Sequence, residues 1–167
     1  MRLIRTCSVA ILLWPVLTGT SPARAQAPAA HPNFVGVWVL DTARTQPGAL
    51  TPMALTYAIE QHGDTLLIAR RTRTMRGEFA AQLVYGLDGR PWHNSVNQGG
   101  LPVDVSSVLT WNGATLIITS TLNAGGQELH QVERWSLDPN GSDLIADRTV
   151  EAQGQQYAMR LVLSRRP

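Results

Sequence analysis

The stretch from Asn33 to Asp41, N-F-V-G-V-W-V-L-D, constrains the fold of this chain more than any other. Apolar residues at this density are typical of a β-strand that is buried on both faces. A glycine inside a strand usually marks a bend, and Trp38 shares a face with Gly36 because strand side chains alternate. A bend beside a large aromatic side chain is suited to closing one end of a small barrel.

Turn residues recur at hairpin spacing along the rest of the chain. Glycines separate segments of strand length, and Asn112-Gly113 is the strongest hairpin signal among them. The predicted later strands are 53–61, 65–74, 78–87, 105–111, 115–122, 127–137, 144–151 and 155–164. The pattern predicts an all-β, antiparallel up-and-down meander barrel of about eight to ten strands. A barrel of this size is either filled by side chains or holds one small ligand.

Several short motifs carry a family resemblance. The opening Phe34-x-Gly36-x-Trp38 resembles the first motif of the lipocalins, the fatty-acid-binding proteins and the avidins. The whole region also resembles a group of small secreted bacterial lipocalin-like, calycin-type proteins, through Leu87-Asp88-Gly89, Trp111-Asn112-Gly113 and Glu133-x-Trp135-x-Leu137. This resemblance implies a barrel and suggests that it binds a ligand.

The resemblance also implies how the barrel end is closed. In lipocalins an arginine near the last strand stacks on the indole of the Gly-x-Trp motif. Gly36 and Trp38 would form this structural element with Arg160, and Arg165 is an equal candidate. A planar cation above an indole ring is favourable on electrostatic grounds.

The N-terminus has the features of a secretory signal peptide. Two arginines precede an apolar segment over 9–17, and Ala23-Arg24-Ala25 offers small residues at cleavage spacing. We expect a signal peptide over 1–25, a disordered lead over 26–32 and a single barrel domain over 33–167, located outside the cell or in the periplasm. Cys7, the only cysteine, would leave with the signal peptide, so the mature chain would contain no disulfide.

Removal of the signal peptide changes the charge balance. The full sequence has 14 arginines, no lysine and 12 acids, for a net charge of +2. Three of the arginines lie in the signal peptide, so the mature domain would be close to neutral. A neutral domain lacks the basic surface that nucleic acid or an anionic membrane attracts. We therefore expect no nucleic-acid partner and no membrane insertion, and a protein partner stays open.

Aromatic side chains are the first candidates for contacts inside the barrel. The aromatic residues with a predicted interior position are Trp38, Tyr85, Trp111 and Trp135. Glu133 is the exception in an otherwise apolar row that includes Leu129 and Leu137. It is either an interior carboxylate with a partner, since an unpaired buried charge is costly, or it is turned outward by a bulge after Gly126.

A basic cluster and a long loop are further candidates. Strand alternation places Arg71 and Arg73 on one face and Arg70 on the other. Arg71 and Arg73 either hold a carboxylate or phosphate at the barrel mouth or lie on a solvated face. The segment 89–104 is predicted to be a long loop, in which Trp92 either contacts a ligand from a mobile flap or caps the barrel end.

Motifs for catalysis, metals and cofactors are weak or missing in the sequence. The four histidines are far apart and lack the spacing of a zinc motif, and no nucleophile elbow or phosphate-binding loop is present. We therefore expect no enzyme activity, no metal and no cofactor. Two functions remain: a module that binds a small apolar ligand in a cavity of several hundred cubic ångströms, or a filled barrel that serves as a structural or protein-interaction domain.

Overall fold

The computed structural model describes residues 31–166, which form ten β-strands and no helix. The predicted signal peptide and the first residues of the lead lie outside the described residues. The strands are β1 (Gly36–Leu40), β2 (Ala54–His62), β3 (Thr65–Thr74), β4 (Gly77–Gly86), β5 (Trp92–Gln98), β6 (Leu101–Asn112), β7 (Thr115–Ala124), β8 (Gln127–Leu137), β9 (Asp143–Ala152) and β10 (Gln155–Arg166).

All ten strands belong to one antiparallel sheet. The order is β4-β3-β2-β1-β10-β9-β8-β7-β6-β5, so sequence neighbours pair throughout and the first strand pairs with the last. The two terminal strands of this order, β4 and β5, lie side by side and are joined by side-chain hydrogen bonds. The result is a nearly closed barrel, and the predicted all-β up-and-down architecture is confirmed.

The core lies inside the barrel and is built from alternate residues of each strand. Trp38 is fully buried at one end, which we call the closed end, and its indole Nε1 donates a 2.8 Å hydrogen bond to the carbonyl of Phe34. The opposite end, which we call the open end, carries the hairpin turns after β3, β5, β7 and β9. Alternation therefore directs one set of side chains inward along the whole barrel.

The first strand differs from its prediction. Val35 and Val37 are 36% and 41% exposed, so β1 is buried on its inner face only. The expectation of burial on both faces was wrong because a barrel of one sheet encloses only its inner surface. The apolar residues on the outer face of β1 remain in contact with solvent.

The segment predicted as a long loop contains strand β5 and the first residues of β6. Gly99 and Gly100 form the turn between them, with φ angles of 64° and 89°. The loop prediction over 89–104 was therefore wrong. The sequence Trp92–Gln98 is mostly polar and hides its alternation, and the two glycines form a tight hairpin turn.

The loop between β1 and β2 runs along the last strand. The amide of Gln46 donates a 3.0 Å hydrogen bond to the carbonyl of Arg160, and the Thr45 hydroxyl accepts one of 3.1 Å from the amide of Val162. Arg44 fixes the start of the loop by ion pairs to Asp41 and Asp143. The loop thus extends the short β1 along β10 without forming a helix.

Candidate functional site

A charged cluster lies inside the barrel, and Glu133 is at its centre. Glu133 is 5% exposed, on the inner face of β8. One carboxylate oxygen accepts a hydrogen bond from Gln131 at 2.6 Å and forms an ion pair with the Arg148 guanidinium at 3.1 Å, and the other accepts a hydrogen bond from the Trp135 indole at 2.9 Å. The structure thus supports the interior, paired alternative for this carboxylate and not the outward one.

Arg148 pairs with Glu133 directly across strands β8 and β9. Its Nη2 also donates a 2.9 Å hydrogen bond to the hydroxyl of Tyr57, on the opposite side of the interior. Burial is the largest single effect and would lower the pKa of Arg148, but the charges of Glu133 and Tyr57 and the hydrogen bonds to them together outweigh burial and hold the pKa above its usual value. The guanidinium is therefore charged whenever the barrel is folded.

Arg70 is the third charged side chain of the cluster. It is half-buried on β3, directly opposite Tyr57 on β2 and Ala81 on β4. Among residues 31–166 its side chain has no hydrogen bond and no ion pair with an acid. Glu133 already forms an ion pair with Arg148. The interior thus holds two guanidinium groups but only one carboxylate. The interior of the described barrel therefore carries one uncompensated positive charge.

Two tyrosines and a pair of serines complete the polar interior. Burial, and secondly the charge of Glu133, raise the pKa of Tyr57 and of Tyr85 to about 12, so both hydroxyls are neutral at physiological pH. The hydroxyls of Ser107 and Ser120 lie 2.7 Å apart on neighbouring strands, and both side chains are buried. The site thus offers mostly hydrogen-bond donors.

A cavity of about 30 Å³ lies within this cluster. A water molecule needs roughly 10–15 Å³ of such space, so the cavity has room for about two waters or the charged group of a ligand. It is far smaller than the several hundred cubic ångströms expected for an apolar carrier. Its lining residues are Tyr57, Ile68, Arg70, Leu83, Tyr85, Val105, Ile118, Ser120, Leu122, Gln131, Glu133 and Trp135.

The predicted ligand contacts are divided between this cavity and the rest of the barrel. Tyr85 and Trp135 line the cavity. Trp38 is buried at the closed end, and Trp92 is half-buried between β4 and β5, and neither of them lines the cavity. Trp111 lies at the outer edge of the closed end, where its ring stacks on His31 at 4.1 Å.

The arginine assignments need correction. Arg71 and Arg73 are exposed on the outer face, so they do not reach the interior, and Arg70 does. The side chain of Arg160 pairs with Asp147 on the outer surface, and it is Arg165 that lies over Trp38, with its Cζ 4.5 Å from the ring centre. Arg165 is the direct cross-strand neighbour of Trp38, whereas Arg160 pairs with residues of the other adjacent strand and its face points outward.

Arg70 and Arg148 were missed as site residues, although strand alternation could have found them. Arg70 continues the inner row of Leu66 and Ile68, and Arg148 continues that of Leu144 and Ala146. A charged residue at an inward position of a barrel strand is the signal, because burial of a charge requires a partner. The same signal had singled out Glu133.

A second depression lies outside the closed end. It has a volume of about 610 Å³ and is lined by His31, Pro32, Asn33, Val35, Gln61, Gly63, Asp64, Leu87 and Trp111. It is wide and open to solvent, and none of its lining residues also lines the interior cavity. The interior cavity is the better candidate, since its polar groups converge.

The part of the chain that the structure describes shows neither a cluster of metal ligands nor a membrane-spanning helix. Residues 31–166 contain no group of three His, Cys, Asp or Glu side chains placed to hold a metal ion. Nor does this part of the chain include a helix long and apolar enough to span a bilayer.

Comparison with known proteins supports the fold. No family model and no curated protein sequence matches the chain. Secretory abundant heat soluble protein 4 from Ramazzottius varieornatus has a similar structure, with a TM-score of 0.51 and 13% sequence identity over 80% of this chain and 94% of that protein. Zebrafish ileal bile acid-binding protein, solved with cholic acid, aligns over 80% of this chain and 98% of its own, with a TM-score of 0.49 and 12% identity. The first of these likenesses supports the antiparallel β-barrel fold of the chain.

Proposed function

We propose that this barrel binds a small organic anion, with the negatively charged group of the ligand beside Arg70 in the interior cavity. The observation that carries the proposal is the half-buried Arg70 side chain without an acidic partner, which lines the same cavity as a carboxylate whose two oxygens already have donors. Partial removal of an unpaired charge from water is unfavourable, and an anionic ligand would supply the missing partner. The proposed role is binding rather than catalysis.

The hydroxyl groups around the cavity fit the same ligand class. The Tyr57 oxygen accepts a hydrogen bond from Arg148, which leaves its proton free to be donated to a ligand oxygen. Tyr85 also lines the cavity and stays protonated, because its pKa is raised to about 12. Guanidinium and hydroxyl donors together recognise carboxylate or phosphate oxygens, and bonds to a charged acceptor are the stronger kind.

The size of the cavity limits the ligand. Drug-sized ligands occupy sites of roughly 300–1,000 Å³, whereas this cavity measures about 30 Å³. The ligand of the proposal is therefore compact, such as a short carboxylic acid. A long apolar tail would require inner side chains such as Leu122 and Leu83 to move aside.

We also propose that the protein acts outside the cytoplasm, either secreted or in the periplasm. The support is the arrangement of Arg2, Arg5, the apolar segment 9–17 and Ala23-Arg24-Ala25. Mass spectrometry of protein exported by a bacterial host should give a chain that begins at Gln26. A chain that retains residues 1–25 would contradict this location.

A filled barrel that binds another protein is the second candidate function. The small cavity favours it, as do exposed apolar side chains in the open-end loops. These residues are Leu50, Met53, Met75 and Leu101, which are 47%, 55%, 96% and 62% exposed. Under this alternative the interior charges would serve only the stability of the fold.

Native mass spectrometry of residues 26–167, before and after solvent extraction, separates the two functions. Under the proposal, an extra mass is removed by extraction, and formate or acetate then changes the tryptophan emission. Arg70→Gln should abolish both effects, whereas Arg71→Gln, the neighbouring arginine on the outer face, should leave both unchanged. A clean mass with no response of tryptophan emission to these acids or to phosphate would reject the proposal in favour of the filled barrel.

A further inference from the structure

The boundary between β4 and β5, which we call the seam, is closed differently from every other strand boundary of the described barrel. No backbone ladder joins the two strands. Instead, the side-chain amide of Asn94 bonds both backbone groups of Val84. The Val84 amide donates to Asn94 Oδ1 at 2.8 Å, and Asn94 Nδ2 donates to the Val84 carbonyl at 3.0 Å. One side chain thus takes the place of a peptide group of the missing ladder.

Strand alternation explains why a regular ladder does not form here. Asn94 lies opposite Val105 on β6 and shares the inner face of β5 with the buried Val96. Val84 alternates with the buried Leu83 and Tyr85, so its side chain is on the outer face of β4. Residues opposite each other in a regular ladder point to the same face. The two strands are therefore out of phase at the seam.

Two further contacts close the ends of the seam. The indole of Trp92 lies against Gly86, where a Cβ atom would be 2.1 Å from the indole nitrogen. At the other end Gly99 packs beside the ring of Phe79. Between the Asn94 contact and the Phe79 contact, segments 80–83 and 95–98 face each other, and the described chain has no hydrogen bond across them. This stretch is the least connected part of the barrel wall.

The cavity approaches the seam next to the Asn94 contact. Leu83 and Tyr85, which flank Val84 on β4, line it from one side, and Val105, the cross-strand partner of Asn94 on β6, lines it from the other. We propose that the seam between 80–83 and 95–98 is the route by which a small anion reaches Arg70, and that the Asn94 amide is the latch that controls its opening. This inference rests on the proposed function. Opening the seam breaks two neutral hydrogen bonds, whereas separating any other pair of neighbouring strands breaks a continuous ladder.

A latch and a binding residue have different kinetic effects. Stopped-flow tryptophan emission with acetate measures the association and dissociation rates separately. Asn94→Ala removes both hydrogen bonds, and Asn94→Asp keeps the shape but loses the donor to the Val84 carbonyl. We expect both rates to rise together by about tenfold in these variants, with the Kd unchanged. A Kd that weakens while the association rate stays constant would make Asn94 a wall residue and overturn the proposal.

Two variants serve as controls. Asn123→Ala removes a similar side-chain bond, to the amide of Gly126 in the turn after β7, two strands away from β5 and not paired with β4. It should leave both rates unchanged. Leu129→Phe narrows the open end, where Leu129 is half-buried on the inner face of β8. Slower binding in this variant, with normal rates in the Asn94 variants, would place the entry at the open end and overturn the proposal.

Hydrogen exchange tests the seam without any ligand. In the free protein, amides of 80–84 and 95–98 should exchange faster than amides of the β7–β8 ladder, and Asn94→Ala should widen the difference about tenfold. Equal protection of the two regions would overturn the latch even if acetate binds. If acetate fails to bind but the seam exchanges rapidly, the proposed ligand is wrong and the opening of the seam stands.

Discussion

The guanidinium of Arg165 lies over the indole of Trp38, with 4.5 Å between its Cζ atom and the ring centre. The two residues are direct cross-strand partners on β10 and β1, and Trp38 is fully buried. The same guanidinium covers Gly36, where a Cβ atom would meet it at 3.7 Å. One arginine from the last strand thus completes the closed end that the first strand begins.

Arg165→Ala should destabilise the barrel by about 1 kcal/mol, the usual worth of a cation above an aromatic ring at a partly exposed site. Urea unfolding followed by tryptophan emission measures the change. Arg160→Ala is the matched control, because its ion pair with Asp147 is about half exposed and pairs of this kind contribute little. If the two variants lose the same free energy of unfolding, the stacking of Arg165 on Trp38 has no special role in stability.

Removal of the Glu133 charge should lower the free energy of unfolding much more than removal of the Arg165 side chain. Glu133→Leu leaves Arg148 buried without its carboxylate, and breaking such a pair typically costs about 3–5 kcal/mol. The double variant Glu133→Leu/Arg148→Met removes both charges, so we expect it to recover most of this loss. Chemical unfolding of the single and double variants gives both values. A single-variant loss below about 1 kcal/mol would mean that water screens this interior.

The general architecture of this protein is predictable from local patterns in its sequence. Gly36 and Trp38 mark the closed end, and glycine-containing turns such as Asn112-Gly113 mark the hairpins. These features depend on residues that are close in sequence. They are therefore visible without knowledge of which strands become neighbours.

The charged site and the arginine of the closed end depend on contacts that are distant in sequence. Arg148 reaches Tyr57 across 91 positions, and the choice of Arg165 over Arg160 depends on the register between β1 and β10. A shift of register by one residue would reverse the face of every side chain on the strand. Strand β5 was missed for a related reason. It is held by contacts that are not visible in its own sequence, namely the hydrogen bond between Asn94 and Val84 and the pairing with β6.

The serine pair inside the barrel should show strong coupling. Ser107→Ala leaves the Ser120 hydroxyl buried without its partner at 2.7 Å, which costs about 1–3 kcal/mol. The double variant Ser107→Ala/Ser120→Ala removes both polar groups and should lose less than the sum of the two single variants. A double-mutant cycle from urea unfolding measures this coupling. Simple additivity would indicate that each hydroxyl has another partner.

The buried tyrosines predict that stability falls at alkaline pH. Their pKa is raised from 10.0 to about 12 in the folded state, so the unfolded chain loses these protons first. The contribution of each tyrosine is thus complete below pH 10 and is lost as the pH rises through about 12. Urea unfolding across this range should give a shallower fall for Tyr85→Phe than for the wild type.

Tyr157→Phe is the control for this pH dependence, since Tyr157 lies at the open end and its hydroxyl bonds Gln155 outside the charged cluster. Its stability should fall with pH as steeply as that of the wild type. An unchanged slope in Tyr85→Phe would show that the hydroxyl of Tyr85 ionises in the folded protein as it does in the unfolded chain.

Gly86→Ala should open the seam by a steric route that leaves Asn94 intact. A Cβ atom at this position would lie 2.1 Å from Nε1 and 2.5 Å from Cε2 of Trp92, too close for the indole to keep its place between β4 and β5. Overpacking of this kind costs about 1–3 kcal/mol, and here the cost falls on the contact between β4 and β5. Urea unfolding should show the loss, and hydrogen exchange should show it first at 80–86. The double variant Gly86→Ala/Trp92→Leu has a smaller side chain facing the new methyl group, so it should regain part of the stability. If the double variant is no more stable than Gly86→Ala, the clash that matters is with the Asp88 carboxylate, 2.8 Å from the same Cβ position, and not with Trp92.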